Sequence, residues 1–137
     1  MPRSLSLRLL QRLTILDVSD NEIADLPARF GELKWLRVVR MSRNHIVDMR
    51  SCVGLTGCEE LDLSQNKITH IPDTISHMTS LVTLELSHNN IKDVPTGVCK
   101  VRRLNVRSFE NLIIIIIIII IISINNFRRR PEQEADL

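Results

Sequence analysis

Apolar and polar positions along this chain recur in four blocks that share one order of residue types. The blocks read LTILDVSDNEI, LRVVRMSRNHI, CEELDLSQNKI and LVTLELSHNNI, and each follows the pattern LxxLxLSxNxI with Cys, Val or Met at some of the Leu positions. An asparagine stands near the end of every block, at intervals of 23, 22 and 23 residues: Asn21, Asn44, Asn66 and Asn89. Repeats of this length predict a solenoid in which each repeat, here called a rung, stacks on the next.

The order of residues within a block predicts a strand and a turn. The LxL segment alternates with period two, so it predicts a short strand of a parallel sheet with one side packed into a continuous apolar column. The asparagine follows the strand, where the chain turns inward, and an amide side chain both donates and accepts hydrogen bonds. We therefore expect the four asparagines to form a structural ladder that satisfies backbone groups of adjacent rungs, with no part in catalysis.

The segments between the blocks also repeat, as IADLPARFGELKWL, IVDMRSCVGLTGC, ITHIPDTISHMTSL and IKDVPTGVCKVRRL. The second segment is one residue shorter, and its threefold spacing of Met49, Cys52, Leu55 and Cys58 predicts a tight return path of the 3₁₀ type. Blocks and linkers together resemble the leucine-rich-repeat family, specifically its intracellular kind with repeats of 22 to 23 residues. That kind includes Ras-pathway scaffolds and phosphatase-regulatory repeat proteins.

The resemblance implies an α/β fold built as a right-handed leucine-rich-repeat solenoid. Parallel strands would line its concave face, and 3₁₀, irregular or short helical segments would form its convex face. We expect residues 1–106 to form this solenoid, with four full rungs after a partial first one that has no polar cap, so that the array reads as truncated. Residues 107–127 would be a poly-Ile apolar segment, and residues 128–137 a charged tail.

The apolar segment has three competing interpretations. It contains ten consecutive isoleucines inside a run bounded by Leu112 and Ile124, and its simplest explanation is a translated codon repeat joined to the solenoid. A membrane anchor formed by residues 112–124 is the second, although such a helix would be about 20 Å long against a bilayer core of ~30 Å. The third is a strand or helix that covers the open end of the solenoid.

Composition excludes several classes of partner and compartment. The 18 basic and 16 acidic residues are interspersed and give a net charge of +2, so no basic field is available for nucleic acid. Three cysteines without a CxxC pair, and a first segment without a secretory signal, favour reduced thiols and a cytoplasmic location. A membrane location through a C-terminal anchor is the alternative.

No enzyme signature is present in the sequence. Its four glycines form no phosphate-binding loop, and its four histidines and three cysteines have no metal-ligand spacing. Cys52 and Cys58 fall at inward positions and Cys99 at a partly exposed one, which fits small core residues. We therefore expect no catalysis, no cofactor and no metal.

The variable strand positions remain as the candidate binding surface. One column holds Asp17, Arg40, Asp62 and Glu85, and a second holds Asp20, Arg43, Gln65 and His88. With rungs ~4.8 Å apart, Arg40 is expected to reach both Asp17 and Asp62, and Arg43 to reach Asp20, which makes a charge mosaic with a basic centre. These charges either neutralise one another or face a partner. Trp35 is interpreted as a packing residue of the convex side, or as a surface anchor.

The function hypothesis is a protein-interaction module, a scaffold or adaptor, that binds a partner on its concave face. The alternatives are a non-catalytic fragment of a larger signalling protein, and a truncated product without function.

Overall fold

Four short strands form one parallel sheet whose order follows the chain. The computed structural model describes residues 12–104 and the single positions 120 and 124. Within residues 12–104 the strands are β1 (Ile15–Asp17), β2 (Val38–Arg40), β3 (Glu60–Asp62) and β4 (Thr83–Glu85). They are hydrogen-bonded in the order β1-β2-β3-β4, so each rung contributes one strand and lies beside its sequence neighbours.

The strand register repeats from rung to rung. Leu16 pairs with Val39, Val39 with Leu61, and Leu61 with Leu84, so the inward residue of each strand faces its counterpart in the next. Each strand begins one residue before the predicted LxL segment, because its three residues are the central Leu or Val and its two outward neighbours. The outward side chains are thereby lined up in columns across the sheet.

Every return path contains a 3₁₀ helix. These helices span Phe30–Glu32, Arg50–Gly54, Asp73–His77 and Thr96–Lys100. The 3₁₀ geometry predicted for the shorter second linker is therefore present there, and the three longer linkers share it. Pro72 and Pro95 directly precede the third and fourth helices, where a missing backbone N–H costs no helical hydrogen bond.

The strand positions of the apolar column are buried in the second, third and fourth rungs. Leu36, Val39, Met41, Leu61 and Leu63 are fully buried. Their counterparts in the first rung, Leu13, Leu16 and Val18, are only partly buried. The core is therefore continuous along the solenoid and thins at the first rung.

One glycine lets two return paths touch. The Gly97 N–H donates to the Asp73 Oδ1 at 2.8 Å, and a Cβ on Gly97 would lie 2.0 Å from the Asp73 carbonyl oxygen. No side chain fits in that gap, so glycine allows the third and fourth 3₁₀ helices to approach.

The predicted boundary at residue 106, the charged tail and most of the poly-Ile segment lie outside the described residues. Of the apolar run, Ile120 and Ile124 are described, and both are helical and about half exposed. Within the described part of the chain, no helix has the length and apolar content to span a bilayer.

Candidate protein-binding surface

Alternation along the strands directs the variable residues away from the core. In β2 the central Val39 is buried while Val38 is partly exposed and Arg40 is exposed, and the other strands follow the same inward–outward pattern. The outward positions make two columns on the open face of the sheet. Ile15, Val38, Glu60 and Thr83 form one, and Asp17, Arg40, Asp62 and Glu85 form the other.

The predicted column that continues this face lies in the turn after each strand. Asp20, Arg43, Gln65 and His88 have φ angles of 59°, 54°, 54° and 55°, which is left-handed backbone. Each is exposed and stands directly before a ladder asparagine. The turn therefore presents a third column at the edge of the sheet, and we call the three columns together the concave surface.

Arg43 and Asp20 form the ion pair that the sequence predicts across the first two rungs. The Arg43 Nη2 lies 2.6 Å from the Asp20 Oδ2, and the Arg43 Nε also donates to Asp20. This hydrogen-bonded guanidinium lowers the pKa of Asp20 below its usual value and raises that of Arg43.

Arg40 does not bridge Asp17 and Asp62, so that prediction is wrong. Its Nη2 lies 3.4 Å from the Glu60 Oε1 of the next strand. Asp17 and Asp62 instead accept hydrogen bonds from the backbone N–H of Ser19 and Ser64, at 3.0 and 2.9 Å. A donor two residues along the chain is already in place, whereas a guanidinium must give up side-chain freedom to reach a carboxylate.

Serine side chains make similar local hydrogen bonds in the third and fourth rungs. Ser87 Oγ donates to Glu85 at 2.9 Å, as Ser64 Oγ does to Asp62 at 2.7 Å. At the other end of the sheet, the hydrogen bond from the Ser19 backbone N–H lowers the pKa of Asp17. The serines of the repeat thus fix the orientation of outward carboxylates by local hydrogen bonds.

The concave surface is acidic although the chain as a whole is basic. It carries five carboxylates, those of Asp17, Asp20, Glu60, Asp62 and Glu85, against the two guanidinium groups of Arg40 and Arg43. Both guanidinium groups contact carboxylates, so the expected basic centre is neutralised within the surface itself. Asp17, Asp62 and Glu85 remain as the excess negative charge.

The asparagines behind this surface hydrogen-bond both to their own rung and to the one before. Asn66 Nδ2 donates to the carbonyl oxygens of Met41, Leu63 and Ser64 at 2.9, 3.0 and 3.1 Å, and its Oδ1 accepts from the Ile46 N–H at 3.0 Å. Asn44 and Asn89 repeat this pattern one rung lower and higher. Among the described residues, which begin at Arg12, Asn21 bonds within its own rung, to Val18 and Ser19, and it is exposed.

Two of the three thiols are buried in the core. Cys52, Cys58 and Cys99 are all free, with the first two buried and the third partly exposed, as predicted. Burial raises the pKa of Cys58 to about 12 and moves that of Cys52 in the same direction. Both are therefore protonated at neutral pH and lack the thiolate that covalent chemistry requires.

An open hollow lies beside the return paths of the second and third rungs. The hollow, of about 440 Å³, is lined by Val47, Asp48, Arg50, Thr69, His70 and Pro72. Asp48 and Arg50 pair with each other there at 2.7 Å. Within the described residues, no three His, Cys, Asp or Glu side chains are placed to hold a metal ion.

Trp35 is exposed, which contradicts its interpretation as a convex packing residue. Its side chain is 60% exposed, although Leu33 and Leu36 beside it are 8% and 0% exposed. Those two leucines fill the column, so the residue between them is turned to solvent. The sequence carries a signal for this outward position, because the aligned residues in the other rungs are small or polar: Arg12, Gly57 and Ser80.

Family models match most of the solenoid. Three models of leucine-rich repeats match residues 46–91, 10–26 and 80–112. A Drosophila melanogaster leucine-rich repeat and calponin homology domain-containing protein is 52% identical over 40 residues, which is 29% of this chain and 5% of that protein. The mouse leucine-rich repeat serine/threonine-protein kinase 1 is 32% identical over 72 residues, 48% of this chain and 4% of that protein.

Solved structures share the fold over longer stretches. A leucine-rich-repeat protein of Leptospira interrogans superposes with a TM-score of 0.73 at 23% identity, covering 90% of this chain and 32% of that one. The functional domain of InlJ from Listeria monocytogenes, which includes a cysteine ladder, gives a TM-score of 0.60 at 26% identity, covering 69% of this chain and 20% of that one.

The chain spans about a twentieth of the curated relatives and a third or less of these two structures. What it shares with all of them is the repeat. Stacked parallel strands, 3₁₀ return paths, inter-rung asparagines and three matching repeat models lead to one assignment: the chain belongs to the leucine-rich-repeat family.

Proposed function

We propose that this chain is a non-catalytic interaction module, a scaffold or adaptor, whose concave surface binds a protein partner. Leucine-rich repeats are generally protein-interaction modules. The observation that supports the surface is the set of outward columns, which carry charged side chains in register across four strands and are left open by the described elements. An extended, rigid and charged face of this kind suits the recognition of another protein.

The contact residues of this proposal are the predicted concave positions, Asp17, Asp20, Arg40, Arg43, Asp62, Gln65, Glu85 and His88, together with Glu60. Their excess negative charge favours a partner with basic side chains at the contact. The partner would approach along the strand columns, where carboxylates fixed by the turn serines need no reordering to accept hydrogen bonds.

A cytoplasmic site of action is part of the same proposal. It is supported by the three cysteines, which are all free thiols in the structure. The regions that match this chain are small parts of much longer relatives, one with a calponin homology domain and one a kinase. An interaction module inside a larger signalling protein is therefore the second candidate, and its binding surface would be the same.

The test exchanges charge on the concave surface and on the opposite side of the solenoid. Asp62→Lys with Glu85→Lys reverses two of the three carboxylates that carry the excess negative charge of the concave surface. Glu32→Lys with Asp48→Lys is the matched control, because both carboxylates are exposed and paired with Arg29 and Arg50 away from that surface.

We expect a partner captured by the intact chain to lose at least about tenfold in affinity with the concave pair of substitutions, since several charge contacts change sign together. The control pair should leave the affinity unchanged. Equal loss from both pairs, with both variants folded, would show that the concave surface is not the binding site.

A further inference from the structure

A solvent-exposed indole stands apart from the concave surface. Trp35 lies in the loop between the first 3₁₀ helix, Phe30–Glu32, and β2, and its 60% exposure is the largest among the large apolar side chains of the described residues. It is also the single tryptophan of the chain, which has no tyrosine. Aromatic side chains contribute most when they become buried at an interface, so leaving one in water forgoes a large contribution.

Two cations flank this indole in the sequence, and their side chains are held in place. Lys34 Nζ donates to the Gly54 carbonyl oxygen at 2.5 Å. Arg37 Nη1 donates to the Gly57 carbonyl oxygen at 3.4 Å and lies 3.5 Å from Glu59. Both side chains thus reach the next linker. The hydrogen-bond acceptor of Lys34 there is a neutral carbonyl group and not a carboxylate.

Neither neighbouring rung places an apolar side chain at the position aligned with Trp35. The position aligned with Trp35 in the following rung is Gly57, where an added Cβ would lie 2.7 Å from the Lys34 carbonyl oxygen. The aligned position in the preceding rung is Arg12, which is exposed. The indole therefore has no apolar neighbour at the aligned positions, and the charged residues closest to it in the rungs are the exposed Arg12 and Lys34 and the Arg37–Glu59 pair. Together they make a small patch that is apolar in its middle and carries net positive charge at its rim.

We propose that this Trp35 patch is a second docking surface, for a partner segment that carries an apolar side chain between carboxylates. The apolar side chain would pack on the indole beside Gly57, and the carboxylates would meet Lys34, Arg37 and Arg12. The concave surface has the opposite charge, so the two surfaces select different segments. This proposal does not depend on the concave-surface proposal, and either can fail alone.

The lone tryptophan reports on its own site. The acidic peptide Ac-EEFLEE-amide, which has no tryptophan, is titrated into the full chain while tryptophan emission is recorded, and Ac-KKFLKK-amide serves as the charge-reversed probe. We expect a saturable shift of emission to shorter wavelength with the acidic peptide, because the indole leaves water, and no shift with the basic one. Raising the salt concentration should weaken the binding.

Substitutions locate the contacts. Lys34→Ala and Arg37→Ala should each weaken the acidic peptide about two- to fivefold, as expected for exposed charge contacts. Arg29→Ala is the matched control, a cation of the same linker that pairs with Glu32, and should leave the affinity unchanged. Trp35→Ala, followed by calorimetry, should weaken it at least about tenfold. An unchanged thermal midpoint establishes that each variant is folded.

Three results would overturn the proposal. One is the absence of a saturable emission change, or an equal change with the basic peptide. Another is a loss on Arg29→Ala as large as that on Lys34→Ala, which would indicate general attraction by charge. The third is an emission shift that follows the concentration of the protein itself without peptide, because a second copy of the chain would then be the occupant.

Discussion

At the scale of single residues, the turn after each strand adopts a left-handed backbone conformation that the sequence does not reveal. Gln65 has a φ of 54°, a left-handed conformation that costs an L residue about 1–2 kcal/mol. Its N–H donates to the Ser87 carbonyl oxygen at 2.8 Å, and this bond holds the turn against the next rung. The aligned residues Asp20, Arg43 and His88 differ in chemistry and none is glycine, so the sequence carries no signal of positive φ here.

A substitution series at Gln65 tests this conformation. Gln65→Gly should raise the free energy of unfolding by up to about 1 kcal/mol, because relief of the left-handed strain exceeds the entropy that glycine gains in the unfolded chain. Gln65→Ala should be nearly neutral, and Gln65→Val should lower it by about 1–2 kcal/mol, because a β-branched residue resists this region. Urea unfolding ranks the three. A valine variant as stable as the alanine variant would mean that the turn is not left-handed in solution.

At the scale of elements, the asparagines make one rung depend on its neighbour. Asn66 satisfies three carbonyl groups and one N–H across two rungs, and it is buried. Asn21 occupies the same sequence position, but it is exposed, and among the described residues it bonds to its own rung. The repeat predicts the same role for both, whereas the structure buries one and exposes the other to solvent. The repeating pattern does not record this difference in burial.

Two alanine substitutions measure this difference. Asn66→Ala should lower the free energy of unfolding by about 2–4 kcal/mol, because it leaves buried backbone groups of two rungs without partners. Asn21→Ala should cost about 1 kcal/mol or less, since water can replace the amide there. The two variants are compared by chemical denaturation under identical conditions. Equal costs would contradict a ladder that joins rungs.

At the scale of the whole molecule, the repeat predicts the fold well and the surface less well. Period, strand positions to within one residue, the buried column and the 3₁₀ return of the second linker follow from LxxLxLSxNxI, because these positions are set by packing. The partners of Arg40 and the exposure of Trp35 do not follow from the pattern. An outward side chain can make several alternative contacts whose free energies are similar. Rung spacing correctly places Arg43 beside Asp20 but gives Arg40 the wrong carboxylates.

The distribution of ionised carboxylates over the solenoid predicts how its stability depends on pH. The pKa values of Asp17, Asp20 and Asp48 are lowered from 3.8 and that of Glu32 from 4.5, by hydrogen bonds from Ser19, Arg43, Arg50 and Arg29 respectively. Below these ordinary values the unfolded chain binds more protons than the folded one, so stability falls as pH falls. The contribution is complete above about pH 5 and is lost as the pH drops through the folded-state values.

Thermal unfolding should therefore show a midpoint that is level from pH 7 to about pH 5 and that decreases towards pH 3. The variant Asp20→Asn with Asp48→Asn should start from a lower midpoint at pH 7 and lose less of it on acidification, since two of the four carboxylates no longer titrate. High salt should weaken the three arginine pairs but not the hydrogen bond from the Ser19 N–H to Asp17, so part of the acid sensitivity should persist in salt. If the intact chain and the variant lose the same stability between pH 5 and pH 3, these carboxylates are not the groups that link folding to protons.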